Sequence, residues 1–206
     1  ILIVDDASPD GTGNIVKKMQ LECENIHLIE RPTKDGLGTA YIKGFKWALE
    51  NHFDYIIQID ADLSHDSNDI PKMLDLMGEY DFIIGSRYIN GVNVVNWPLR
   101  RLFLSYLANT YVRIITGMRV KDSTSGYNCF NTGNLKKIHY EKITSQGYSF
   151  QIELKYLTYL NKYKLFEMPI IFNDRTVGES KMSKQIILEA IYKVVILKFK
   201  RMLRII

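Results

Sequence analysis

Cysteine is scarce in this chain, and its placement excludes two classes of protein at once. Cys23 and Cys129 stand far apart without CxxC spacing. Neither a disulfide framework nor a zinc site is therefore expected, and both thiols read as reduced cytosolic ones. No uncharged apolar run of about 18 residues occurs, so no spanning helix is predicted, and no signal peptide is recognisable. No Pro/Gly-rich linker, internal repeat or low-complexity tract divides the sequence. One domain with an appended tail, 1–184 and 185–206, is the expectation. A strong excess of either charge is lacking too: the net charge of +4 gives no argument for a nucleic-acid partner. His27, His52, His65 and His139 have no metal-ligand spacing and are expected in surface or packing roles.

What is present is enough apolar sequence, 46% of 206 residues, to bury a real core. The chain begins within an apolar run and without Met, so it is expected to lack its first strand. Short apolar strands at 1–4, 26–29, 54–59 and 81–85 alternate with helical patterns through about Glu24, over 36–51 and over 68–79. This alternation predicts an α/β fold with a mostly parallel, helix-covered sheet. Ligands of such sheets bind beyond the carboxyl ends of the strands. Asp6, Asp60 and Arg87 each follow a strand, so they are expected to converge on one edge.

Residues 55–65 carry the strongest signal, an apolar strand ending in Asp60-Ala61-Asp62. Alternate strand residues share a face, so both carboxylates are expected to reach one point. Mg2+ or Mn2+ commonly takes one or two carboxylates and completes its shell with substrate phosphates. Such a cation neutralises charge on a leaving diphosphate. Basic side chains after it, Arg87, Arg101, Arg175 and Lys181, are candidate phosphate ligands. Gly178 suits a loop that closes over the phosphate.

Eight motifs appear in a consistent order: VDDASPDGT (4–12), GLGTAYIKGF (36–45), DADLSHD (60–66), GSRY (85–88), NWPLRR (96–101), DSTSGY (122–127), GYSFQIEL (147–154) and DRTVGESK (174–181). With these motifs the chain resembles the polyprenyl-phosphate (dolichol-phosphate) mannosyltransferases, inverting family 2 glycosyltransferases of the GT-A (Rossmann-like) fold. The resemblance implies that Val4 and Asp6 contact the nucleoside, and that Asp60, Ala61 and Asp62 hold diphosphate and metal. Ser64 matches a further metal-site position, where some relatives have glutamine; a shorter hydroxyl is expected to act there through water. Arg87, Arg101, Arg175 and Lys181 match positions expected to bind donor or acceptor phosphate. The implied catalytic set is thus Asp60, Asp62, Arg87, Arg175 and Lys181, with Mg2+ or Mn2+ as cofactor.

The implied reaction moves mannose from GDP-mannose to a polyprenyl (dolichyl) monophosphate. That acceptor is already anionic near neutral pH, so no general base is expected. Asp122 and Ser123 are accordingly expected to order a loop. Two alternatives are a UDP-sugar (glucose) transferase acting on the same lipid and a non-catalytic nucleotide-binding module. Beyond Glu189 every charged residue is basic, namely Lys193, Lys198, Lys200, Arg201 and Arg204, among apolar residues. That composition predicts an interfacial amphipathic helix, and 95–116 shares it. The expected location is the cytoplasmic face of a plasma or endoplasmic-reticulum membrane, with an anchoring subunit or missing transmembrane segment as a further partner.

Overall fold

The computed structural model describes residues 1–175, 184–203 and 205. Lys181, Gly178 and Arg204 lie outside the described residues. The chain folds as two compact units, Ile1–His52 and Phe53–Ile206.

In the first unit β1 (Leu2–Asp5) pairs in parallel with β2 (His27–Glu30), and α1 (Thr12–Glu22) connects them. Asp10 begins that helix: its carboxylate accepts from the Thr12 amide at 3.0 Å and the Thr12 hydroxyl at 2.6 Å, satisfying donors that a helix start leaves free. Gly11, at φ 83°, makes the sharp entry that a side chain would strain. Helix α2 (Leu37–Glu50) turns Ala40, Phe45 and Ala48 inward, where they join Val16 and Ile26 among the unit's buried apolar residues.

The second unit is built on a four-stranded sheet in the order β3–β6–β4–β7. Its strands are β3 (Tyr55–Gln58), β4 (Phe82–Ser86), β6 (Asn128–Asn131) and β7 (Leu165–Pro169). Three of these strands run in the same direction, as the mostly parallel expectation requires, and β6 alone opposes them. β6 runs antiparallel to both β3 and β4, while β4 and β7 are parallel. A four-residue Asn-Cys-Phe-Asn strand carries almost no alternation signal, and long-range pairing decides it. A short parallel ribbon joins β5 (Val94–Val95) to β8 (Phe172–Asn173). Met73, on α3 (Ile70–Leu76), packs with Ile83, Tyr127, Cys129, Met168 and Ile170 in the core. Burial pushes the Cys129 thiol up to about 12, which leaves it inert.

Helix α4 (Leu99–Thr116) ends at Gly117 in the left-handed conformation. Two helical segments went unread in the sequence, α5 (Thr132–Lys137) and α6 (Gly147–Leu160). Every residue of α6 from Ser149 to Thr158 is buried, so it lacks the apolar stripe by which a surface helix is recognised. The last helix, α7 (Lys184–Met202), packs on α4 and α6. Val194 and Leu197 are buried, and the Tyr111 hydroxyl donates to the Ile191 carbonyl at 3.0 Å. Through Val194 and Leu197 α7 therefore contributes to the second unit's core, and the compact units divide at His52–Phe53. Among the described residues no helix is long and apolar enough to cross a membrane.

Lys155 on α6 is fully buried, and its ammonium donates to the Ser125 carbonyl at 2.7 Å. Burial pushes the amine down to about 7, with the nearby Asp122 carboxylate opposing the shift. Between pH 7 and about 10.5 the unfolded chain therefore holds a proton that the folded one has released. Stability then rises with pH across that window, at up to about 1.4 kcal/mol per pH unit. Lys155→Met is expected to remove this slope and to stabilise the protein most below pH 7. Urea denaturation from pH 6 to pH 10 checks it.

Candidate active site

The acidic pair sits on a turn beyond β3, because that strand ends at Gln58. Strand alternation therefore does not align the two carboxylates; local turn chemistry does. Asp62 accepts from the Ser64 amide at 3.1 Å and from the Ser64 hydroxyl through the same Oδ1. Leu63 between them takes φ 61°, a conformation costly for a branched side chain and of the kind that clusters at functional sites. Ser64 is fully buried. Its hydroxyl donates to Asp62 and orients that carboxylate.

The Asp60 side chain is 44% exposed, and its Oδ2 lies 3.6 Å from His65 Nε2. Gly126 backs it: a Cβ there would come within 3.3 Å of Asp60 Oδ1, tighter than an alanine could occupy without displacing the carboxylate. The other oxygen of Asp62 faces Arg175 Nε at 3.6 Å. Burial alone would raise the Asp62 pKa, but the Ser64 bonds and the Arg175 charge hold it below the ordinary carboxylate value. Asp62 therefore stays ionised at neutral pH. Among the described residues no group of three His, Cys, Asp or Glu side chains could hold a metal alone. The donor set fits a hard divalent cation that completes its shell with substrate phosphate oxygens.

The expected phosphate ligands have diverse surroundings. Arg87 is buried and committed: Nε and Nη2 each donate to Asp122 at 2.7 Å, and Nη2 donates to Thr124 at 2.8 Å. Its backbone amide also donates to Asp122 at 3.0 Å. Burial opposes the charge of each partner, but the pairing prevails, raising the Arg87 pKa and lowering that of Asp122. Arg87 is thus an internal strut, contrary to the expectation of an open phosphate ligand. Asp122 is sealed and cannot serve as a base. Arg101 donates to both Asp174 oxygens, at 2.8 and 2.9 Å, and lies 4.1 Å from the Trp97 ring centroid. Arg87 lies 5.3 Å from the same centroid, so Trp97 contacts two guanidinium groups. Arg175 is the partly exposed cation beside the acidic pair.

In the first unit Val4 and Asp6 lie at the end of β1. Asp6 is held by Arg31 through a two-pronged ion pair, and Arg31 also donates to Thr39 and to the Gly36 carbonyl. Arg31 is almost wholly buried. Sequence reading missed it, though its place immediately after β2 was a usable signal. Missed as well was Glu167, which accepts from the Ser86 hydroxyl and from the Lys121 and Asp122 amides. It anchors the loop that carries Asp122.

Comparison with known proteins shows the family of the chain. The family profile "Glycosyl transferase family 2" matches residues 1–143. The chain belongs to that family. This glycosyltransferase is 41% identical over 94% of its length to an undecaprenyl-phosphate mannosyltransferase of Micrococcus luteus, covering 80% of that protein. It is 42% identical to a polyprenol monophosphomannose synthase of Mycolicibacterium smegmatis, covering 94% of this chain and 74% of the relative. Among solved structures it resembles glucosyl-3-phosphoglycerate synthase from Mycobacterium tuberculosis, with a TM-score of 0.59 at 15% identity, over 94% of this chain and 68% of that one. That likeness places the glycosyltransferase in the α/β GT-A class. Structures of that synthase carry Mn2+ with UDP-glucose, or Mg2+ with UDP.

Proposed function

We propose that this glycosyltransferase moves mannose from GDP-mannose to a polyprenyl monophosphate, inverting the anomeric centre. The observation that carries the proposal is the pair Asp60 and Asp62. Both are partly open to solvent, each has a neighbouring side chain that can orient it, and a guanidinium stands alongside. The names of the two mannosyltransferase relatives support the acceptor and the sugar.

Asp60 and Asp62 would hold Mg2+ or Mn2+ against the donor diphosphate. The bound cation supplies charge neutralisation at the leaving group. Arg175 exchanges its long contact with Asp62 for the diphosphate, adding a planar donor pair where negative charge builds. Lys181, outside the described residues, is proposed to add a point charge. The lipid phosphate, with a second pKa of about 6, attacks the anomeric carbon directly. No side chain removes a proton, which agrees with Asp122 being sealed by Arg87. Asp6, held by Arg31, is proposed to meet the nucleoside.

A donor panel of radiolabelled GDP-mannose and UDP-glucose with a short polyprenyl phosphate tests the reading. Mannosyl transfer from GDP-mannose is expected. Transfer of glucose alone would instead make the protein a UDP-sugar transferase of the same lipid. Nucleotide binding without turnover would make it a non-catalytic module.

With such an acceptor the reaction is proposed to occur at a membrane surface, on a cytoplasmic face. Leu99, Phe103 and Ile114 of α4, and Leu188, Tyr192 and Phe199 of α7, are exposed among basic residues, as in interfacial helices. Truncating α7 would strip Val194 and Leu197 from the core, so paired surface substitutions are the better probe. Phe103→Glu with Phe199→Glu is expected to reduce flotation with anionic liposomes several-fold while leaving the thermal midpoint unchanged. Equal flotation would overturn the membrane assignment.

A further inference from the structure

His65 is an apolar-walled imidazole without an evident purpose in the packing. Its side chain is 2% exposed, and it packs on the Tyr127 ring at 4.8 Å and against the edge of Phe172 at 5.2 Å. Among the described residues neither ring nitrogen has a hydrogen-bond partner. A neutral imidazole brings one donor and one acceptor, and burying both unpaired forfeits the hydration of each. Phenylalanine would fill the same slot without that cost. The nitrogen nearest a partner is Nε2, 3.6 Å from Asp60 Oδ2, a few tenths of an ångström beyond a hydrogen bond. Asp60 is the carboxylate that lacks a hydrogen bond from Ser64, since Ser64 serves Asp62.

We propose that His65 is a positioning residue for Asp60. Nε2–H donates to Asp60 Oδ2 and holds the carboxylate in the orientation that takes the divalent cation. Carboxylates that ligate metals are generally braced by such a bond. The segment 60–65 then contains two carboxylates and one orienting side chain for each, Ser64 for Asp62 and His65 for Asp60. Gly126 leaves the space in which Asp60 settles. The inference rests on the proposed metal role of the acidic pair, and the test keeps the two apart.

Mn2+ affinity of the full chain is measured by the free-ion EPR signal, with the nucleoside diphosphate of the preferred donor present, for wild type, Asp60→Asn, His65→Phe, His65→Leu and His65→Gln. His65→Phe and His65→Leu are expected to weaken Mn2+ about 10- to 100-fold. At least one of these apolar variants is expected to keep or raise the thermal midpoint, because an unpaired polar ring is lost. His65→Gln, which retains an N–H donor, is expected to recover part of the affinity. If Asp60→Asn abolishes Mn2+ binding while both apolar variants keep it, the role of His65 is overturned and the metal role stands. If Asp60→Asn itself binds Mn2+ normally, the metal reading fails and this inference falls with it. A glutamine variant as weak as the apolar ones would also overturn the positioning role.

Discussion

Asp60→Asn is expected to lower kcat/KM by roughly 10²- to 10³-fold, the loss typical of removing one preorganised electrostatic stabiliser of a transition state. The fold is expected to survive the change. Asp60 is 44% exposed on its side chain and among the described residues makes no hydrogen bond that closes the turn, so the substitution belongs with surface changes worth within about 0.5 kcal/mol. Asp62→Asn is expected to match the loss in activity but to cost more stability, because Asp62 accepts both Ser64 bonds and faces Arg175. Excess Mn2+ should recover part of the rate in either variant, since an amide oxygen still offers a weak ligand. Steady-state kinetics across a Mn2+ series, with thermal midpoints alongside, checks both statements. Full activity of either variant would remove the acidic pair from the mechanism.

The largest effect on stability is expected from Asp122→Ala. The substitution leaves the Arg87 guanidinium buried without its carboxylate, a situation that costs about 3–5 kcal/mol. Arg87 binds Asp122 through two side-chain donors and its own amide, so the loop at 122–127 would lose its anchor to the end of β4. Ser125 in that loop donates to the Gly85 carbonyl at 2.6 Å, and Gly126 beside it backs Asp60. Transfer activity should therefore fall together with stability. The double variant Arg87→Met with Asp122→Leu is expected to regain most of the stability, because it removes both charges together. Activity would remain low, since the loop anchor is still missing. Asp122 also has a signature in acid. Arg87 holds its pKa below the ordinary value despite burial, so its contribution is present above about pH 4. The contribution is lost as pH falls through the lowered pKa. Chemical denaturation between pH 3 and pH 7 should show this loss in the wild type but not in the double variant.

The element pattern of the first half was legible because its helices and strands are amphipathic or uniformly apolar. α1, α2, β2 and β4 lie within a few residues of their expected bounds. Less legible were β6, too short to show alternation, and α6, buried on every face. The candidate residues were readable as types at positions, but their environments were not. Arg87 and Arg175 look alike in sequence, each an arginine soon after a strand. One is a sealed strut against Asp122, while the other stands partly exposed beside Asp62. Ser64 and His65 read as a weak ligand and a packing ring. Their roles follow from which oxygen each side chain faces.

By itself the sequence determined the class of chemistry: motif order, a strand-end acidic pair, an excess of downstream arginine and lysine, and a basic apolar tail. These are local properties, carried by residue identity and spacing along the chain. The tertiary structure decided which charges are free to act. Whether a guanidinium meets a phosphate or a buried carboxylate depends on burial and on partners distant in sequence. Asp122 lies 35 residues from Arg87, and Asp174 lies 73 from Arg101. Only the folded chain brings such partners together, and the dielectric they share sets the outcome of each pairing.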